Sequence, residues 1–210
     1  MRNAHWSRTY LLVSSALLLG GCGGLLGGGK ADLFRFGVAE SAPVGAAQRA
    51  LPARTVTLLR PRFSQEVEGD RILTTRGERA LYVKDARWVA PVPELFAQAL
   101  MRDFAARASD VRLTGARSAT GASHALQIGI ERFEAHYGVD DGEKVPPTII
   151  IEGEGTLFDL TDRRPVASTR FAVVEPVPTN TTSGIVAAFD RAVARYTAEL
   201  TDWSAGAVRK

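Results

Sequence analysis

Apolar and polar residues alternate with a period of two along several separate stretches of the chain, the signature of strands with one buried face. Residues 54–60 set Val56 and Leu58 against Thr55 and Thr57 and end at Pro61, which predicts a strand. Residues 71–75 and 80–83 flank the polar run Arg76-Gly77-Glu78-Arg79, which predicts a β-hairpin. A short strand is predicted at 111–113. Leu126, Ile128 and Ile130 then alternate with Gln127 and Glu131, and the pattern continues over 148–160 and 166–174. Asp140-Asp141-Gly142 and Asp162-Arg163-Arg164-Pro165 supply turns. Residues 32–38 alternate well enough for an additional short strand near the N-terminus.

Two stretches change period. Between residues 93 and 108, Ala97, Leu100, Met101, Phe104, Ala105 and Ala108 fall at i, i+3, i+4, i+7, i+8 and i+11, which predicts an amphipathic helix. Pro91 and Pro93 end the preceding element and favour the start of this one. Over 183–203, Val186, Phe189, Val193, Tyr196, Leu200 and Trp203 are spaced by three and four in turn. Such a stripe also suits a coiled coil, but beside a multi-stranded sheet it reads as a core-packed helix. The expectation is an α+β domain, a mainly antiparallel sheet with two principal helices packed on it, one of them at the C-terminus. No repeat of solenoid or propeller length is present.

The first residues follow none of these patterns. Arg2, His5 and Arg8 precede an apolar run over 10–19, with no acid before it, and small residues follow. This is the layout of a secretory signal peptide. The run covers about 15 Å as a helix, half the hydrocarbon core, so it is a poor permanent span. Leu19-Gly20-Gly21-Cys22 comes next and resembles the lipobox of bacterial lipoproteins. That resemblance implies cleavage between Gly21 and Cys22, diacylglycerol on the Cys22 thiol and acylation of the freed amine, palmitate being the expected acyl group. An acyl chain contributes about 0.8 kcal/mol per buried methylene, and two or more chains hold a protein stably on a membrane. In Gram-negative lipoproteins an aspartate after the cysteine favours the inner membrane. Gly23 stands here, which points to the outer membrane, facing the periplasm. The chain thus divides into a signal peptide at 1–21, the lipidated Cys22 with a Gly/Ala-rich tether containing the short strand at 22–53, and the α+β body at 54–210.

Composition then narrows the function. The 210 residues are 45% hydrophobic and 23% charged, too apolar and too nearly neutral for a disordered chain. A single cysteine excludes an intramolecular disulfide, a Cys-rich zinc site and a CxxC redox pair. Two of the 26 cations, Arg2 and Arg8, lie ahead of Cys22, so 24 remain against 23 acids. The cations are interleaved with acids rather than clustered, which argues against a nucleic-acid partner.

No catalytic or metal constellation emerges, and no catalytic residue, metal ligand or cofactor is expected beyond the covalent lipid on Cys22. His124 shares the face of Leu126, Ile128 and Ile130, and His136 lies beside a turn, with no HExxH spacing at either. Ser123 and His124 are neighbours in sequence and lack an identifiable orienting group. Gly153-Glu154-Gly155 sits within a strand pattern and lacks the helix-opening glycine of a dinucleotide motif. Asp140, Asp141 and Glu143 lack EF-hand spacing and read as a solvated turn.

Ile72-Leu73-Thr74-Thr75-Arg76, Ala80-Leu81-Tyr82-Val83 and Arg87-Trp88-Val89-Ala90-Pro91, taken with the lipobox, the strand near residue 32, the amphipathic helix after Pro91 and the tryptophan near the end of the last helix, resemble the ABC-type transport auxiliary lipoproteins that accompany MCE-type lipid transport systems. One departure is Ala90, in Arg87-Trp88-Val89-Ala90, where an acidic residue is expected after the family's Arg-Trp-Ala. The resemblance implies a non-enzymatic accessory role, with an MCE-domain protein and other components of an ABC lipid transporter as partners. It makes Arg87 and Trp88 the candidates for a partner contact, since Arg and Trp serve as interface anchors. The alternative places Trp88 in the core with Arg87 at a strand end. The runner-up for the whole protein is a structural or assembly lipoprotein of the outer membrane unconnected with ABC transport.

Overall fold

The computed structural model describes residues 31–37, 54–108, 110–118, 121–139 and 144–209. The expected signal peptide, Gly21 and Cys22, most of the expected tether and the turn at 140–142 lie outside them. In chain order the elements are β1 (Asp32–Phe34), β2 (Arg54–Leu58), β3 (Arg62–Phe63), β4 (Arg71–Arg76), β5 (Arg79–Trp88), α1 (Val92–Arg107), β6 (Val111–Gly115), β7 (His124–Tyr137), β8 (Thr148–Asp159), β9 (Arg164–Pro176) and α2 (Thr182–Arg209). A single 3₁₀ turn, Ala116–Ser118, separates β6 from β7.

Strand β7 organises the sheet. Along one edge it pairs in succession with β2, β3 and β4, so those three short strands act as one interrupted strand parallel to it. Pro61, which has no N–H to donate, stands at one of the interruptions. Along the other edge β7 pairs antiparallel with β8 over nearly its whole length, and β8 pairs likewise with β9. Outward from β4 come β5 and then β1, while β6 lies beside β2.

The sheet is mixed, which corrects the expected mainly antiparallel one. The β1–β5, β2–β6, β2–β7, β3–β7 and β4–β7 pairings are parallel, and β4–β5, β7–β8 and β8–β9 are antiparallel among the described residues. Alternation records which face a side chain takes and carries no sign of strand direction. Direction follows from the connections. The antiparallel pairs join strands that follow one another in the chain with no helix between them, whereas α1 comes between β5 and β6, which runs with β2.

Both helices pack on one face. Thr181 caps α2, its Oγ1 accepting the Gly184 N–H at 3.1 Å. Phe189, Val193, Tyr196 and Leu200 are buried as the spacing predicts, Val186 and Trp203 are half-buried, and small residues such as Ala188, Ala192 and Ala205 complete the face. The helix runs on past Trp203 to Arg209, whose guanidinium grips Asp110 at 2.5 and 2.7 Å. In α1 the buried face is rotated from the expected one: it runs through Leu95, Phe96, Ala99, Leu100 and Phe104, while Ala105 is exposed. The helices are joined by a hydrogen bond from Thr197 Oγ1 to the Asp103 carboxylate and by the Arg107–Asp202 ion pair. The opposite face of the sheet carries ion pairs, Arg132 with Glu134 along β7, and across strands Arg132 with Glu152 and Arg170 with Glu131.

The apolar pattern of β7 changes phase after Ile130, where the β7–β8 register shifts and Glu131 becomes an extra residue. Opposite it Gly153 has no room for a side chain, since a Cβ there would run into the Gly129 carbonyl. Phe133 and Ala135 therefore return to the core face, and the strand continues to Tyr137.

Candidate functional site

Arg87 and Trp88, the two partner-contact candidates, lie where β1 joins the outer edge of the sheet. Register sets Leu33 beside Arg87 and Phe34 beside Trp88, and the Val89 N–H continues the ladder to the Phe34 carbonyl at 2.7 Å. Phe36, 1% exposed, enters the core and meets Trp88 edge to face with ring centres 5.0 Å apart. Trp88 in turn meets Phe189 of α2 at 5.4 Å, also edge to face. This is the offset geometry that aromatic quadrupoles favour.

The next residue is clamped by both helices. Gly37 donates its N–H to Asp190 at 2.6 Å, and its carbonyl accepts from Arg102. At φ +64° it occupies the left-handed region, and a Cβ there would sit 2.6 Å from that of Ala99. A glycine is required on both counts.

Alternation in β5 separates the two partner-contact candidates. Trp88 is 1% exposed and belongs to the core, not the surface, so its indole offers no free face in this fold. Arg87 points outward, half-exposed, with Nη1 3.1 Å from the Asp70 carboxylate. Asp70 also accepts the Trp88 N–H through its backbone carbonyl at 2.7 Å, so one residue orders both neighbours. Beside them Leu33 and Val89 expose apolar side chains.

A groove of about 350 Å³ lies between the end of β2 and the start of α1, lined by Leu58, Leu59, Pro61 and Ala97 with Arg60 and Glu94 as its charged residues. It is distinct from the Arg87 edge.

The histidines remain apart. His136 Nδ1 is 2.9 Å from Thr75 Oγ1. His124 Nδ1 is 2.8 Å from Ser123 Oγ and pairs across the sheet with Asp159, which brings a serine, an imidazole and an acid near each other. The Asp159 carboxylate, however, accepts the backbone N–H groups of Asp162 and Thr161 at 3.1 and 2.6 Å. Those bonds hold its carboxyl below the usual carboxylate range and occupy it as a turn acceptor. No hydrogen bond joins it to His124, so the third member of a nucleophilic relay is missing among the described residues. Nor do the described residues contain a cluster of three or more metal-ligating side chains.

Sequence reasoning missed Gly37, Arg102 and Asp190 as a unit, and Asp70 as the partner of Arg87. No local signal marks them: Gly37 and Asp190 are 153 residues apart and meet only through the fold.

A family model described as the ABC-type transport auxiliary lipoprotein component matches residues 37–201. No curated protein matches the chain. Among solved structures the chain is similar to protein XCC0632 from Xanthomonas campestris, of the DUF330 family, at 22% identity and a TM-score of 0.66 over 77% of this chain and 91% of that one. An uncharacterized protein is 13% identical with a TM-score of 0.61, over 74% of this chain and 95% of its own. The hypothetical protein CT253 from Chlamydia trachomatis is 10% identical with a TM-score of 0.50, over 74% and 97%. At these identities the likeness to the three structures is one of fold.

Proposed function

The chain belongs to the family of ABC-type transport auxiliary lipoprotein components, and we propose that it is a non-catalytic accessory part of an MCE-type ABC transporter for phospholipid, anchored in the outer membrane by acyl chains on Cys22 and facing the periplasm. The family match over 37–201 carries this reading, together with the Leu19-Gly20-Gly21-Cys22 sequence that stands ahead of it. Membership in a transport family also favours it over a structural lipoprotein unconnected with ABC transport.

In this reading the lipid on Cys22 holds the domain at the membrane and the folded body meets the transport machinery. Arg87 is the residue we assign to that meeting. Its guanidinium is half-exposed, held in place by Asp70 and bordered by the exposed Val89, a charged anchor beside apolar surface. Trp88 supports it from beneath by fixing the strand to the core. The body binds and positions, and the energy for transport comes from the ATPase of the system.

Crosslinking in the intact envelope, with a photoreactive residue replacing Val89, tests the proposal. The expected result is capture of an MCE-domain protein, weakened by Arg87→Glu. Repeated capture of no transport component, with the protein correctly localised, contradicts it.

A further inference from the structure

We infer that one corner of the sheet, carrying β1 and the turn between β4 and β5, rests on the membrane surface; the inference builds on lipid attachment at Cys22. Strand β1 runs parallel to β5 with Asp32 level with Ala86 and Phe34 with Trp88. Ala31, just before β1, therefore lies on the side of Asp32 toward the Gly77-Glu78 turn.

Covalent geometry limits the alternatives. Gly23 to Lys30 are all that separate Cys22 from Ala31, and that length spans at most about 30 Å when fully extended. The β5–β4–β7 registers put Ala86 near the level of Arg132, well along β7 from His124. Reaching the His124 end means reversing direction and covering about 25 Å at about 3.3 Å per strand residue, nearly the whole span. The turn end lies straight ahead.

The corner also has the chemistry that a lipid surface takes. The three most exposed large hydrophobic residues among those described are Val139 at 70%, Leu33 at 64% and Leu81 at 58%. Leu33 is on β1 itself, and Leu81 is on β5 just past the turn. Val139 follows β7 and stands beside the same turn, its Cγ2 3.5 Å from where a Cβ on Gly77 would lie. Arg79 and Lys84 are exposed there, and so are Glu78 and Asp85. With those charges balanced and Lys84 paired with Asp85 at 3.9 Å, the contact is carried by the apolar side chains.

The test uses full-length lipidated protein carrying either Glu78→Cys at this turn or Asp162→Cys at the β8–β9 turn, on the opposite end of the sheet. Each new thiol is labelled with a fluorophore and the protein is reconstituted into phosphatidylethanolamine–phosphatidylglycerol vesicles containing headgroup-nitroxide lipid. Quenching at position 78 is expected to exceed that at 162 several-fold. Equal quenching, or stronger quenching at 162, overturns the orientation. Flotation of the same vesicles reads the anchor separately: protein that fails to float overturns lipidation of Cys22 and this inference with it, whereas floating protein unquenched at 78 overturns the orientation alone. The triple variant Leu33→Ser, Leu81→Ser, Val139→Ser is expected to float normally and to lose most of the quenching at 78; unchanged quenching overturns the apolar contact.

Discussion

Arg87 and Trp88 are adjacent, yet the pleat of β5 sends one to solvent and the other into the core. Trp88 bridges Phe36 of the N-terminal segment and Phe189 of α2, so truncating it removes ring contacts to two elements at once. Trp88→Ala is expected to cost about 3–5 kcal/mol. Arg87→Ala, which breaks a half-exposed ion pair, is expected to cost under about 1 kcal/mol. Urea unfolding of the two variants checks this, and comparable losses contradict the assignment. The sequence identified this dipeptide and left open whether Trp88 faced a partner or the core. The flanking residues explain why: β5 has only Ala86 and Trp88 buried in its second half, too short an alternation to set the phase without its neighbours. Gly37 was wholly illegible, because its requirement arises from Ala99, Arg102 and Asp190, which are remote in the chain.

Elements with many turns or many paired residues were the most legible. The α2 stripe and the β8 and β9 alternations correspond to observed elements because each repeats its signal several times. The two-residue β3 left no pattern, and the β7 bulge broke the alternation after Ile130, which hid the strand's last residues. Helix α2 also fastens to β9 through charge: Arg191 at 2.7 Å and Arg195 at 3.0 Å both bind Glu175. The Arg191 hydrogen bond above all, and then Arg195, hold the Glu175 carboxyl below its ordinary value. The Arg209 hydrogen bond lowers Asp110 in the same way, to about 2. Because these carboxyls take up protons less readily folded than unfolded, their contributions are fully present above the unfolded values and vanish as pH falls through the folded ones. Stability is therefore expected to decline as pH drops below the unfolded value of 4.5 for Glu175, with the Asp110 share lost between 3.8 and about 2. Glu175→Gln is expected to flatten the upper part of that decline in urea midpoints measured against pH. Parallel curves for variant and parent contradict the role of the Arg191–Glu175–Arg195 link.

For the whole molecule, the α+β class and the two helices followed from periodicity, while the mixed direction of the sheet did not, since connections rather than alternation set it. Within the described residues no helix is long and apolar enough to cross a membrane. In the proposed function, membrane attachment falls on Cys22. Fractionation of the bacterial envelope after metabolic labelling with palmitate tests this most directly. The expected result is that the parent protein carries label and sediments with outer membranes, and that Cys22→Ala carries none and leaves the membrane fraction with its fold intact. Label and firm membrane attachment retained in Cys22→Ala would contradict it.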